Sequence, residues 1–292
     1  MNDDTDRYLS RFRRVLAHIE AHLDEALDGE RLSGVAMYSK WHFQRQFAEL
    51  FEMGVHEYVQ TSRLRRAAQQ LAYRDLPIME IALTSGYEGP EAFARAFRKR
   101  TGMSPSDFRK APDWETWHDL IQPFTKLRSQ HMQPAFTASD VRIVDFPASR
   151  VAAIEHRGDP HRIGDTIRRF IDWRKQNHLP PRIAATYNIA YDDPQQVPAD
   201  QFRFDICAAT EREIEPNDSG VIAKVIPAGR CAVLRHIGTE DTLPQSIRAL
   251  YASWLPASGE EPRDFPLFMQ RVKFFPDVPE HEAVTDIFLP LK

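Results

Sequence analysis

Two arginines occupy matching places in a stretch of this chain that is written twice. Phe43 and Phe47 recur fifty residues later as Phe93 and Phe97. At the same offset Arg45 recurs as Arg95, Met53 as Met103, and Tyr58 is matched by Phe108. Two aromatics four residues apart predict one buried face of a helix. Each arginine follows the first aromatic by two residues, about 200° around the helix, and so faces solvent. A guanidinium held there can donate two hydrogen bonds to a guanine edge, the commonest specific contact in a DNA major groove. Either copy alone reads equally well as an ordinary amphipathic helix with a surface arginine. The repetition favours a surface that is read from outside.

Neighbouring residues extend that chemistry. Trp41, Gln44 and Arg45 of the first copy, and Glu91 and Arg95 of the second, are placed to reach base edges. Ser39, Lys40, Arg98 and Lys99 are placed for phosphates, which fix register and carry no sequence information. Glu91 departs from a phosphate-binding pattern; it repels phosphate and can accept from a cytosine amine.

The elements that must position these side chains are legible on either side. Glu30 to Met37 predicts a short helix that breaks at Tyr38-Ser39, and Pro77 to Leu83 another that breaks at Ser85-Gly86-Tyr87. Pro77 suits a first helical turn and Gly86 a C-terminal cap. A short helix, a tight turn and a longer helix with exposed polar residues is the helix-turn-helix plan. Residues 55–73 predict a helix joining the two units, about 27 Å long. Such a spacer sets two reading helices about one turn of DNA apart, roughly 34 Å. Residues 7–28 place Leu9, Phe12, Leu16, Ile19 and Leu23 on one stripe, which Gly29 is expected to end.

Residues 8–110 resemble the AraC/XylS transcriptional regulators. The resemblance rests on Tyr38 to Phe47, Ile81-Ala82, Gly86-Tyr87, Phe93 to Lys99 and, as its most specific part, Gly102-Met103-Ser104-Pro105-Ser106-Asp107-Phe108-Arg109. It implies an all-α tandem helix-turn-helix domain over residues 1–112, with double-stranded DNA and RNA polymerase as partners.

Residues 113–138 read as a linker, with a short amphipathic piece at Trp114–Ile121 whose tryptophans pack. Beyond it lies a second repeat, at an offset of 80: Pro147-Ala148 recurs as Pro227-Ala228, Arg150 as Arg230, His156 as His236 and Gly158 as Gly238. Each half reads as one strand, one helix and two more strands: 141–156, 162–177, 183–191 with 202–210, then 221–237, 242–255, 266–274 with 283–290. The expectation is an α+β domain, a duplicated βαββ unit whose two helices lie on an antiparallel sheet around a groove.

Residues 139–292 resemble the GyrI-like (SbmC-like) effector domains, through Tyr191-Asp192-Asp193-Pro194, Pro198 to Asp205, the two Pro-Ala-x-Arg strands and Thr285 to Leu291. The resemblance implies a groove that takes a hydrophobic, often cationic small molecule. The family's usual acid has Met269 in its place here, within Phe268-Met269-Gln270-Arg271, which disfavours a cation and suits an apolar ligand. Trp173, Tyr187, Tyr191, Trp254, Phe268 and Met269 are the candidate lining; core packing explains such residues equally well. His156 and His236 lack an acid or thiol at ligand spacing and read as hydrogen-bonded strand-end histidines.

With 292 residues, 42% of them hydrophobic, the chain has material for two cores. Residues 1–112 hold 17 Lys and Arg against 16 Asp and Glu, so charge alone does not identify a DNA binder and the helix pattern carries that reading. No apolar run approaches the roughly 20 residues that cross a bilayer. The N-terminus is acidic, and Cys207 and Cys231 fall in apolar strands without metal spacing, which points to the cytoplasm and no membrane partner. No Ser-His-Asp set, phosphate loop or metal motif stands out, so neither an enzyme nor a cofactor nor a metal is expected. The leading expectation is a ligand-responsive DNA-binding regulator. The alternatives for the C-terminal half are a small-molecule hydrolase or a protein-interaction module that acts by sequestration.

Overall fold

The computed structural model describes residues 3–131 and 136–292. The chain divides into two compact units, Met1–Gln133 with Pro279–His281, and Pro134–Val278 with Glu282–Lys292. Among the described residues no helix is long and apolar enough to cross a membrane.

The first unit is all helical: α1 Asp3–Ala21, α2 Gly29–Ala36, α3 Lys40–Phe51, α4 Val55–Tyr73, α5 Ile78–Thr84, α6 Pro90–Thr101, α7 Pro105–Lys110 and α8 Trp114–His131. Its core takes one stripe from each element, including Phe12, Leu16 and Ile19 from α1, Phe43 and Phe47 from α3, and Phe93 and Phe97 from α6. The fifty-residue repeat survives in three dimensions. Phe47 meets Tyr58 edge to face at 5.6 Å, and Phe97 meets Phe108 in the same manner at 5.3 Å.

Two boundaries differ from expectation. Gly29 begins α2 instead of ending α1, because Asp28 is the better cap: its side chain accepts from the amides of Glu30 and Arg31. The expected linker at 113–138 is mostly helix. Trp114–His131 continues well past Ile121 and buries Trp114, Trp117, Ile121, Phe124, Leu127 and Arg128 in the helical unit. Arg128, 1% exposed, pairs with Glu20 at 2.6 Å and lies over the Phe124 ring at 5.2 Å. A polar residue at a buried position hid the apolar stripe that continues the helix. Residues 132–135 of the expected linker lie outside the described residues.

The second unit holds β1 Val141–Phe146, β2 Ser149–Arg157, α9 Ile163–Gln176, β3 Thr186–Ala190, β4 Arg203–Ala209, β5 Val221–Ile226 and β6 Gly229–Ile237. It continues with α10 Leu243–Ala249, a π-helical turn at Leu250–Trp254, α11 Leu255–Ser258, β7 Leu267–Lys273 and β8 Val284–Pro290. The duplicated α+β unit on an antiparallel sheet is present, with one strand more per half than the βαββ reading. What reads as a single strand, 141–156 or 221–237, is two strands broken at the Pro-Ala dipeptide.

The eight strands run in the order β1-β6-β8-β7-β3-β4-β2-β5, all antiparallel. β1 therefore pairs with β6 of the other half, and β5 with β2. Turn chemistry accounts for the exchange. The two-residue turns that match strand twist have φ above zero at their first central residue, which Pro147 and Pro227 cannot adopt; the turns they do favour splay the strands, so each flanking pair separates and takes a partner across the repeat.

Candidate functional site

In the helical unit, α3 and α6 each bury a phenylalanine pair and turn the opposite side outward. All nine side chains expected to contact nucleic acid, Ser39, Lys40, Trp41, Gln44, Arg45, Glu91, Arg95, Arg98 and Lys99, are exposed. Trp41 is 81% exposed, an extreme for an indole. Ser39 is the N-cap residue of α3 with its side chain making no capping bond, which leaves hydroxyl and first-turn amides together at a helix N-terminus. Glu91 stands in the first turn of α6, where a carboxylate complements the helix dipole, and its Oε2 lies back towards Gly89. Arg98 and Lys99 occupy the last turn, which suits cations for the same reason.

The turns that aim the two helices are built differently. Between α5 and α6, Gly86 has φ +74°, and the place a β-carbon would take there is filled by the buried guanidinium of Arg63. Arg63 donates from Nε to Leu23 O at 2.8 Å and from Nη2 to Glu25 O at 2.6 Å, fastening the turn to the start of the chain. Between α2 and α3 the left-handed position is Met37, φ 58°, 70% exposed. Sequence reading found Gly86 but missed Arg63, which stands among surface-type arginines on α4 and gives no local sign of burial.

In the second unit, α9 and α10 lie on one face of the sheet, and the candidate ligand residues divide between the faces. Trp173 belongs to the core between α9 and the sheet. Met269 and, partly buried, Trp254 belong to the core beneath α10. These three lie on the helix side, which follows from strand alternation: Asn188 pairs with Met269 and points with it to the helices, while Ile189 and Phe268 point the other way.

Tyr187, Tyr191 and Phe268 do share the opposite face, with Phe146, Phe288 and Phe265. Phe268 stacks on Phe288 at 4.8 Å, and Phe146 meets both edge-on at 4.9 and 5.3 Å. Every member of this cluster is on a strand or an adjoining loop. Phe146 arrives there only because β1 crosses to the other half.

One end of this aromatic face carries charge. Glu155 and Asp205 are direct cross-strand partners on β2 and β4, a like-charge pair. Lys224 on β5 lies between them, its Nζ 2.6 Å from Glu155 Oε1 and 2.6 Å from Asp205 Oδ2. Tyr191 donates its hydroxyl to Asp205 Oδ2 at 2.8 Å, and its ring lies 5.6 Å from the ammonium. Burial opposes the lysine charge, but the bonds to Asp205 and Glu155 outweigh it and raise the Lys224 pKa. The bond from Lys224 holds the Glu155 pKa below its ordinary value. At the equivalent place in the other half, Arg235 pairs with Asp286 through two bonds of 2.7 and 2.8 Å.

The two histidines are hydrogen-bonded at both nitrogens and repeat each other. His156 contacts Thr166 Oγ1 at 2.9 Å and Asp159 O at 3.1 Å; His236 contacts Ser246 Oγ at 2.7 Å and Thr239 O at 3.0 Å. Burial lowers both pKa values. No group of three or more metal-ligating side chains stands together among the described residues. Cys207 and Cys231 are buried free thiols.

Comparison with known proteins divides the chain in the same way. Residues 139–292 match the model of the GyrI-like small molecule binding domain, and residues 32–111 that of a helix-turn-helix domain. The chain is 37% identical over 153 residues to the probable transcriptional regulator YgiV of Escherichia coli K12, covering 52% of this chain and 96% of that protein. It is 33% identical over 149 residues to the right origin-binding protein of the same strain, covering 50% of this chain and 51% of that protein. To its regulatory protein SoxS it is 34% identical over 95 residues, covering 32% of this chain and 89% of that protein.

Proposed function

We propose a mode of action for a chain that belongs to the family of GyrI-like small molecule binding domains and carries an AraC-type helix-turn-helix unit ahead of that domain: a DNA-binding transcriptional regulator that answers to a small hydrophobic effector. The observation that carries the DNA half is the repeat itself. Two helices with the same buried phenylalanine pair present the same exposed arginine, and neither arginine has a hydrogen bond or ion pair among the described residues. Arg45 with Trp41 and Gln44, and Arg95 with Glu91, read base edges in successive major-groove segments; Ser39, Lys40, Arg98 and Lys99 hold phosphates. The 19-residue α4 spaces the two readers.

The effector half rests on the aromatic face of Phe146, Tyr187, Phe268 and Phe288, which favours an apolar ligand over the helix-side residues Trp173, Trp254 and Met269. RNA polymerase is the partner through which a bound regulator acts. The DNA-binding part is taken as residues 1–112 and the effector part as 139–292, around matched segments at residues 32–111 and 139–292, with α8 as an addition to the first.

Selection from randomised DNA tests the reading. A bidentate arginine–guanine contact discriminates by about 1–3 kcal/mol, so Arg45→Ala or Arg95→Ala loses roughly tenfold or more in specific affinity. Each variant relaxes its own segment, about ten base pairs from the other, with non-specific binding nearly unchanged. An Arg45→Ala protein that selects the wild-type sequence removes the first unit from base reading.

A further inference from the structure

Along one row of the sheet, on the face away from the helices, Glu155, Asp205, Ile189, Phe268 and Phe288 are consecutive cross-strand neighbours. The aromatic face thus runs directly into an acid pair. Two carboxylates opposite each other on adjacent strands repel. In the other half the corresponding position is an opposite-charge pair, Arg235 with Asp286, and needs nothing more. Here Arg157 pairs with Glu155 Oε2 at 3.2 Å, and the cation that joins both acids comes from a third strand: Lys224 belongs to the second repeat and reaches the pair only because β5 crosses to β2.

The surroundings of its ammonium are those of a bound organic cation. Two carboxylate oxygens lie at 2.6 Å, the Tyr191 ring at 5.6 Å, and the Lys224 side chain retains 21% exposure while that of Asp205 retains 1%. Asp205 Oδ1 is buried without a hydrogen-bond partner among the described residues, so the site holds more acceptor capacity than the lysine uses. An unpaired buried carboxylate oxygen is costly and favours a second donor.

We infer that Lys224 is a tethered cation seated in a cation subsite at the end of the aromatic face, so that it selects against cationic ligands and restricts the face to uncharged ones. The selectivity resides at Glu155, Asp205, Tyr191 and Lys224, on three strands and a loop, on the sheet face opposite Met269. This rests on the aromatic face being the ligand face.

Two measurements on the full chain separate the inference from that reading. Lys224→Ala removes the atoms of a propylammonium ion. Adding n-propylammonium chloride raises the thermal midpoint of Lys224→Ala by several degrees more than equal potassium chloride, through binding to the folded state alone. The wild type and the Lys224→Ala/Asp205→Asn double variant show no such difference. Titration calorimetry then compares benzyltrimethylammonium with its uncharged isostere neopentylbenzene on the wild type and on Lys224→Met, which keeps the apolar stem. The cation gains about tenfold or more on the variant, from ion pairing with the carboxylates and cation–π contact with Tyr191, since a quaternary ammonium has no N–H to donate, while the neutral probe binds both alike. Absence of propylammonium rescue overturns the inference, and so does an equal gain by the neutral probe, which marks a face merely loosened. Rescue by propylammonium with no aryl probe bound by either protein supports the subsite and refutes the aromatic face as the ligand face.

Discussion

Gly86→Ala tests how the second reading helix is aimed. A β-carbon at Gly86 falls 2.4 Å from Nη2 and 2.5 Å from Cζ of Arg63, and φ is +74°. The left-handed backbone alone costs an alanine about 1 kcal/mol. Contact below 3 Å is relieved cheaply when the neighbour is a free side-chain end, but this guanidinium is held by Leu23 O and Glu25 O. Moving it forfeits at least one charged hydrogen bond, about 1.5–3 kcal/mol. The expected loss is about 2.5–4 kcal/mol, which lowers the melting point of a domain of this size by roughly 10 °C. Gly34→Ala is the control: nothing lies within 4 Å of its added β-carbon, and in the middle of α2 it gains up to about 1 kcal/mol. Urea titration followed by circular dichroism reads both. A Gly86→Ala midpoint within about 1 kcal/mol of wild type means that Arg63 swings aside freely and that the clamp is not what holds the turn.

The corresponding turn before α3 gives the opposite expectation: Met37, exposed at φ 58°, becomes less strained as Met37→Gly, which raises the unfolding midpoint by up to about 1 kcal/mol in the same titration. Lys40→Ala weakens binding to all DNA sequences alike and flattens the log–log salt slope by roughly one unit, read by anisotropy across a salt series; a loss confined to the preferred sequence makes Lys40 a base reader. Burial lowers the pKa of His156 and His236 below the ordinary 6.5, so the folded state binds fewer protons than the unfolded. The stability due to neutral rings is therefore complete above about pH 6.5 and is lost as pH falls through the lowered folded values. Thermal midpoints from pH 8 to 5 show this as a decline that His236→Gln makes shallower; an unchanged slope in that variant refutes the assignment.

Local pattern carried most of the helical unit. A 3.6-residue period sets Phe43 against Phe47 and Phe93 against Phe97, and the same period puts Arg45 and Arg95 outside, so one-dimensional spacing already contained the exposed surface. The boundary at Gly29 and the full length of α8 were less legible, because Asp28 capping competes with the glycine signal and Arg128 sits where an apolar residue continues a stripe. The α+β duplication and the position of most strands were likewise written in local alternation and turns.

Which residues share a face was decided by tertiary structure. Alternation sends neighbours on a strand to opposite sides, so Phe268 and Met269 part company once the register of β7 against β3 is set. That register depends on partners about eighty residues away. The meeting of Lys224 with Glu155 and Asp205 depends on more, since a proline at each Pro-Ala turn closes the hairpin route and sends β5 to the other half of the sheet. Sequence determines the period of each element and the turns it permits; the pairing of distant strands is a property of the whole folded chain, and it is there that the charged end of the aromatic face is assembled.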